Sequence, residues 1–325
     1  MTMGEGASRV VFIFLDGFGL APPGPTNPIA VYNWPRLRPQ LGARPVLGEA
    51  SSGGSRLLVP LDARLGVDGL PQSATGQVSL FTGVNAAALL GYHLAAYPNA
   101  RLQAVIEQDN LLLRATRAGL RATFANAYTA EYFAAVEAGR LRRSATTLCV
   151  LAAGLRIRTL DDLLRGQAVV WDITNSELRQ RPGYEQVPLV EPAEAGRRLG
   201  RLALAHELVL FECFKSDLIG HKKDLGRALE HLGELDELFG SCAESMPAEA
   251  TLVVCSDHGN LEDLSTGAHT RNPVPLMAIG PGAPHFASAQ AITDVAPAIY
   301  CVLGAAPGAA GCTRVASHRD EGGSA

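Results

Sequence analysis

The sequence predicts an α/β fold, a sandwich around a mainly parallel central sheet, and three observations carry that expectation. Short apolar, β-branched runs at Val10 to Leu15, Leu208 to Phe214 and Leu252 to Cys255 read as buried parallel strands. Helix-like patterns at Leu102 to Ala118 and Pro192 to His206 lie between them, which is βαβ alternation. The same strands carry Asp or His at or just beyond their C-terminal ends, the edge where open α/β sheets place their sites. With 325 residues, 47% apolar and 18% charged, the chain can bury a sizeable core as one large domain or one domain with an insertion.

Taken in order, the first strand stops at Asp16-Gly17-Phe18-Gly19, where glycine lets the backbone turn away and leaves Asp16 as a candidate ligand. A Pro/Gly loop follows, and residues 36–69 read as irregular, with short strands suggested at Val46 and at Leu57 to Val59. Residues 69–83, GLPQSATGQVSLFTG, read as a loop feeding a helix N-terminus, with Ser73 or Thr75 as cap. Such a terminus favours a phosphate, and a metal-bound serine hydroxyl is an activated nucleophile. A plain capping serine is the competing reading. Leu120 to Tyr128 is strand-like, as is Leu276 to Ile279; Ile292 to Leu303 reads as a closing helix and Pro307 to Ala325 as a Gly/Ala-rich tail.

Chemistry concentrates between Phe211 and Pro275. FECFKSDLIGH spaces Asp217 and His221 four apart, VVCSDHGNLED holds Asp257 and His258, and GAHTRNPVP holds His269. Imidazole with carboxylate suits Zn²⁺ or Mn²⁺, and these donors outnumber what one tetrahedral ion needs, so the spacing predicts two metals.

Composition narrows the partners. A formal net charge of -4 without a basic tract argues against nucleic acid or an anionic membrane, leaving a small molecule as the expected partner. The six cysteines (149, 213, 242, 255, 301, 312) show no CxxC pairing and read as buried free thiols, consistent with a cytoplasmic location. Neither a signal peptide nor a membrane span is expected, and no internal repeat is found. Oligomeric state does not follow from the sequence.

Asp16, the Ser73 loop, Asp217-x-x-x-His221, Asp257-His258-Gly259-Asn260 and His269-Thr270-x-Asn272-Pro273-Val274-Pro275 resemble, in order and type, the alkaline phosphatase superfamily. The likeness is to its cofactor-independent phosphoglycerate mutase and phosphopentomutase branch. The resemblance implies a three-layer sandwich with a small inserted cap, taken as residues 129–190 on a core of 1–128 and 191–325. It implies one metal held by Asp217, His221 and His269, a second by Asp16, Ser73, Asp257 and His258, and Ser73 as nucleophile, with Thr75 as its rival. Gln77 stands where those mutases carry His, and Ala74 where the phosphoglycerate enzyme has Glu, so the loop matches neither enzyme fully.

The implied activity is phosphoryl transfer on a small phosphorylated metabolite through a phosphoserine, as phosphatase or phosphomutase. Alternatives are a phosphodiesterase or sulfatase-like hydrolase of the same superfamily, or a metal-binding module without catalysis. The cap holds Arg140, Arg142, Arg143, Arg156 and Arg158, which read mainly as solvated surface. All three lysines, Lys215, Lys222 and Lys223, cluster around the Asp217-His221 pair. Thr75, Lys215, Lys222 and Arg271 are the candidate substrate contacts.

Overall fold

Strands whose side chains are apolar on both faces must be covered on both faces, and that requirement organises the molecule. In the computed structural model, which describes residues 8–305, the strands are β1 (Arg9–Leu15), β2 (Ser51–Gly53), β3 (Arg56–Leu61), β4 (Ala122–Phe124), β5 (Ala127–Tyr128), β6 (Arg158–Thr159), β7 (Leu208–Cys213), β8 (Ala250–Ser256) and β9 (Val274–Ile279). Seven of them form one sheet in the order β2-β3-β9-β8-β1-β7-β4, while β5 and β6 pair separately. Four neighbours, β8, β1, β7 and β4, are parallel; β9 runs antiparallel to both β8 and β3. The mainly parallel sheet is therefore as expected, with β9 and β2 reversed.

Side chains alternate between the two covered faces with the strand period of two. Phe12 and Phe14 point into one apolar layer with Phe81, Leu102 and Ile299, whereas Val11, Ile13 and Leu15 point into the other with Phe211, Leu232 and Phe239. The second layer is helix Leu225–Ser245 packed with helix Pro192–Leu202. Helices on both faces make the three-layer sandwich.

Several expected elements differ in extent. Val46 is buried in a turn, not a strand. The run from Leu102 to Ala118 is two helices, Ala100–Gln108 and Leu111–Arg117, because the Asn110 side chain accepts from the Leu112 and Leu113 amides at 3.0 and 3.1 Å and caps a new helix there. Leu120 to Tyr128 splits into β4 and β5, since the Asn126 amide takes the place of backbone against β7, donating to the Glu212 carbonyl at 2.7 Å. The closing run starts as a 3-10 turn, Ile292–Asp294, before helix Val295–Val302.

The segment 129–190 does not stand apart from the core as a simple insertion. Its helix Ala145–Ala152 packs Ala145, Cys149 and Val150 into the same layer as Phe12 and Phe14. Val169, Ile173 and Val190 pack into the opposite layer, and Leu163, Val170, Leu178, Tyr184 and Val187 form a small separate cluster. Cys149, Cys213, Cys242 and Cys255 are buried free thiols; Cys301 is disulfide-bonded, which corrects the all-thiol expectation. Cys312 and the tail from Pro307 lie outside the described residues. Among the described residues, no helix is long and apolar enough to cross a membrane.

Candidate metal centre

The parallel block delivers its strand ends to one edge. β1 ends at Leu15, and Asp16 follows directly. Gly17 then turns away at φ +72°, and a Cβ there would meet the Asp217 Cβ at 2.7 Å, so only glycine admits the neighbouring helix so close. β7 leads into helix Lys215–Lys222, where Asp217 and His221, four apart, share a face. β8 ends at Ser256 and presents Asp257 and His258. Because β9 runs back antiparallel, the loop before it returns His269 to the same edge, pinned by pairing of Gly259 with Thr270.

Two donor groups result, Asp16 with Asp257 and His258, and Asp217 with His221 and His269; within each, the donor atoms lie within 4.8 Å of one another. In the first, His258 Nε2 is 3.1 Å from Asp16 Oδ1 and 3.6 Å from Asp257 Oδ2. In the second, His221 Nε2 and His269 Nε2 lie 3.1 and 3.4 Å from the two Asp217 oxygens. The rings of His258 and His269 stack at 3.8 Å, which joins the groups into one centre.

Ser73 enters from the opposite layer. Helix Ser73–Thr82 lies against Asp257 so closely that a Cβ on Gly76 would meet the Asp257 carbonyl oxygen at 2.7 Å. That approach leaves Ser73 Oγ 3.0 Å from His258 Nε2. Gln72 occupies the cap position, so Ser73 is not spent as a capping serine. Neither is Thr75 a cap: it lies inside the helix, where its hydroxyl donates to the Gln72 carbonyl at 3.1 Å and accepts from the Leu94 amide at 3.3 Å.

Neighbouring groups fix how each donor is presented. Nδ1 of His269 faces the Pro71 carbonyl at 2.8 Å, Nδ1 of His221 the Gly267 carbonyl at 2.7 Å, and Nδ1 of His258 the Gly259 carbonyl at 3.3 Å. All three rings thus hold Nδ1–H in place and free Nε2 as ligand. Asn260 Nδ2 donates to Asp217 Oδ1 at 2.6 Å. Buried Glu262 accepts from the Gly19 and Asn260 amides at 3.0 and 2.8 Å and binds the side chains of Thr270 and Asn272, tying three loops together.

The charges are those of a cation site. Burial works against a charged His258, yet the carboxylates of Asp257 and Asp16 override it and push the imidazole up to about 10. Asp257 is driven well above the ordinary carboxyl range, first by burial and then by Asp16. Asp16 Oδ1 is buried and makes no well-formed hydrogen bond, its close neighbour being His258 Nε2 at 3.1 Å. An orphaned carboxylate oxygen, crowded acids and freed Nε2 atoms fit divalent metal binding.

Lys215 points elsewhere: its ammonium donates to both Glu234 oxygens, at 2.9 and 2.7 Å. Lys222 and Arg271 do not line the cavity at the centre, and Arg271 Nε donates to the Gly69 carbonyl at 3.2 Å. None of these, nor Thr75, is therefore placed as a substrate contact. Of the cap arginines, Arg142 lines the cavity, Arg156 pairs with Asp162 at 2.7 Å, and Arg158 is buried against the Phe124 carbonyl.

Three residues escaped sequence reading. Gln77, noticed only as a departure from the mutases, donates to Asp16 Oδ2 at 3.1 Å and Asp257 Oδ2 at 3.2 Å, holding the two carboxylates apart. Glu262 is the second. Glu212 is the third, visible as the one acid inside an apolar strand run; it is 4% exposed, accepts from the Thr146 hydroxyl at 2.7 Å, and burial pushes its carboxyl up to about 7.

Comparison with known proteins adds the following. A family profile described as the Metalloenzyme superfamily matches residues 193–307. The 2,3-bisphosphoglycerate-independent phosphoglycerate mutase of Desulforudis audaxviator is 34% identical over 131 residues, 38% of this chain and 26% of that protein. The same-named enzyme of Halobacterium salinarum is 31% identical over 134 residues, again 38% and 26%. The match thus spans about a quarter of the length of these mutases. Among solved structures, the alkaline phosphatase of the Antarctic bacterium TAB5 superposes with a TM-score of 0.54 at 12% identity, covering 92% of this chain and 98% of that one. Leishmania mexicana phosphoglycerate mutase gives 0.51 at 12%, covering 95% and 97%. At such identities these structures show a shared fold.

Proposed function

We propose that this chain, a member of the alkaline phosphatase superfamily near its phosphoglycerate mutase branch, is a two-metal phosphatase that works through a phosphoserine at Ser73. The carrying observation is the convergence of Ser73 Oγ, 3.0 Å from His258 Nε2, with two donor groups of three residues each. Asp16, Asp257 and His258 would hold one divalent ion with Ser73, and Asp217, His221 and His269 the other, with Mn²⁺ or Zn²⁺ as the metal. Bound there, the ions would supply positive charge that polarises a phosphate and lowers the pKa of a serine hydroxyl.

Ser73 stands at the start of a helix whose first-turn amides and dipole favour the incoming phosphate. Its Oγ forms a bond to phosphorus while the ester oxygen leaves as the alcohol, taking up a proton. Water then attacks the phosphoserine, and phosphate departs with the serine hydroxyl restored. Gln77, donating to both Asp16 and Asp257, keeps the carboxylates in place throughout. Hydrolysis is favoured over mutase chemistry because the His221 side chain is 42% exposed, so water reaches this end of the site.

Protein reconstituted with Mn²⁺ or Zn²⁺ should carry two ions per chain and release phosphate from monoesters. Ser73→Ala should lower that release by on the order of a thousandfold or more with the fold intact. At most one tightly bound ion, or an active Ser73→Ala enzyme, would contradict the proposal.

A further inference from the structure

Asp16, Ser73, Asp217, His221 and His269 line a cavity of about 620 Å³. A phosphate fills a small part of that volume, and pockets of this size hold ligands many times larger. What lines the remainder decides what else the substrate carries. The same lining includes Tyr97, Tyr128, Tyr132, Leu141, Trp171 and Phe214. Trp171 and Phe214 stack at 4.2 Å with planes 15° apart, and the ring centroids of Tyr128 and Tyr132 are 4.3 Å apart. Rings braced against each other lose little freedom on binding and offer a planar group offset or edge-on contacts.

A substrate bearing a second anionic group would need guanidinium forks free to meet it. Among the described residues the cavity lining has two arginines, Arg142 and Arg181. Arg142 donates to the Pro98 carbonyl at 3.1 Å and lies over the Tyr97 ring at 5.4 Å. Arg181 carries its charge near Glu131, whose carboxyl is held below its usual range first by the Tyr184 hydroxyl and only weakly by Arg181. Buried Glu212 adds a carboxyl to the same lining. A small polyanion would meet one arginine already engaged, a second with a carboxylate near it, and a buried acid.

We infer that the site takes phosphomonoesters whose alcohol or phenol carries a planar apolar ring, seated among Trp171, Tyr128 and Tyr132 while the phosphate reaches Ser73. This rests on the phosphoryl-transfer reading above. The ring belongs to the leaving group: the Ser73 Oγ–phosphorus bond forms, the phosphorus–oxygen ester bond breaks, and the ring-bearing alcohol departs with a proton.

The test compares kcat/KM for 2-naphthylmethyl phosphate and ethyl phosphate on the metal-loaded enzyme. Both release a primary alcohol, so their ratio reports the ring and not the acidity of the leaving group. A preference of at least about tenfold for the naphthyl ester is expected, falling to about threefold or less in Trp171→Ala and in Tyr132→Ala. Taken within one variant, the ratio is insensitive to lost metal or partial unfolding, and the two variants stand in for each other if one fails to fold. A wild-type ratio near one, ratios unchanged in both variants, or faster turnover of 3-phosphoglycerate overturns the ring assignment while leaving phosphoryl transfer standing. No turnover of any monoester and no phosphate on Ser73 overturns both.

Discussion

Lys215 ends in the carboxylate of Glu234, which also accepts from His231 Nδ1 at 3.0 Å, while His231 Nε2 lies 3.1 Å from the Ser216 hydroxyl. This inward network joins helix Lys215–Lys222 to helix Leu225–Ser245 and holds Asp217 steady from behind. Lys215→Ala strands a part-buried carboxylate, so it should cost about 1–3 kcal/mol in denaturant unfolding. Its kcat/KM should stay within about threefold of wild type; a tenfold loss with metal content unchanged would return Lys215 to the substrate. The donors themselves were legible one by one, because Asp and His at strand ends have few other reasons to recur together. The direction of a lysine was not, since it depends on which helix face meets a partner far along the chain. Gln77 and Glu262 were hidden for the same reason: a bridge between loops has no local spacing.

At the level of elements, long apolar runs announced β1, β7 and β8 because a strand buried on both faces tolerates little else. Shorter elements were decided by side chains competing with backbone, as Asn110 and Asn126 do. The start of the β4–β7 pair shows a related device. Arg121 donates to Glu207 through its backbone amide at 2.8 Å and its Nε at 3.1 Å, and the Glu207 amide returns a bond to the Arg121 carbonyl at 2.8 Å. The hydrogen bond from Arg121, outweighing burial, lowers the Glu207 carboxyl from 4.5 to about 2. A carboxyl whose folded value is depressed stabilises the fold fully above its ordinary value, and that contribution is lost as pH falls through the folded one. Wild type should therefore exceed Glu207→Gln in urea midpoint at pH 6, and the gap should close between about pH 4.5 and 2. A gap independent of pH would mean that the charge contributes nothing.

For the molecule as a whole, the parallel order β8, β1, β7 explains why ligands from opposite ends of the sequence meet: three strand ends lie side by side, and β9 brings His269 back to them. The cavity wall could not be foreseen, since Tyr97, Tyr128, Leu141, Trp171 and Phe214 come from separate segments with no common period. The packing of helix Ala145–Ala152 on the layer of Phe12 and Phe14 was hidden for a similar reason, since those partners lie more than a hundred residues away in the chain. The most direct measurement uses the metal-loaded protein, turning over a phosphomonoester, quenched in acid and mapped by mass spectrometry. Phosphate on Ser73 is the expected result; phosphate on Thr75, or release of phosphate with neither residue modified at any quench time, would contradict a serine nucleophile at this centre.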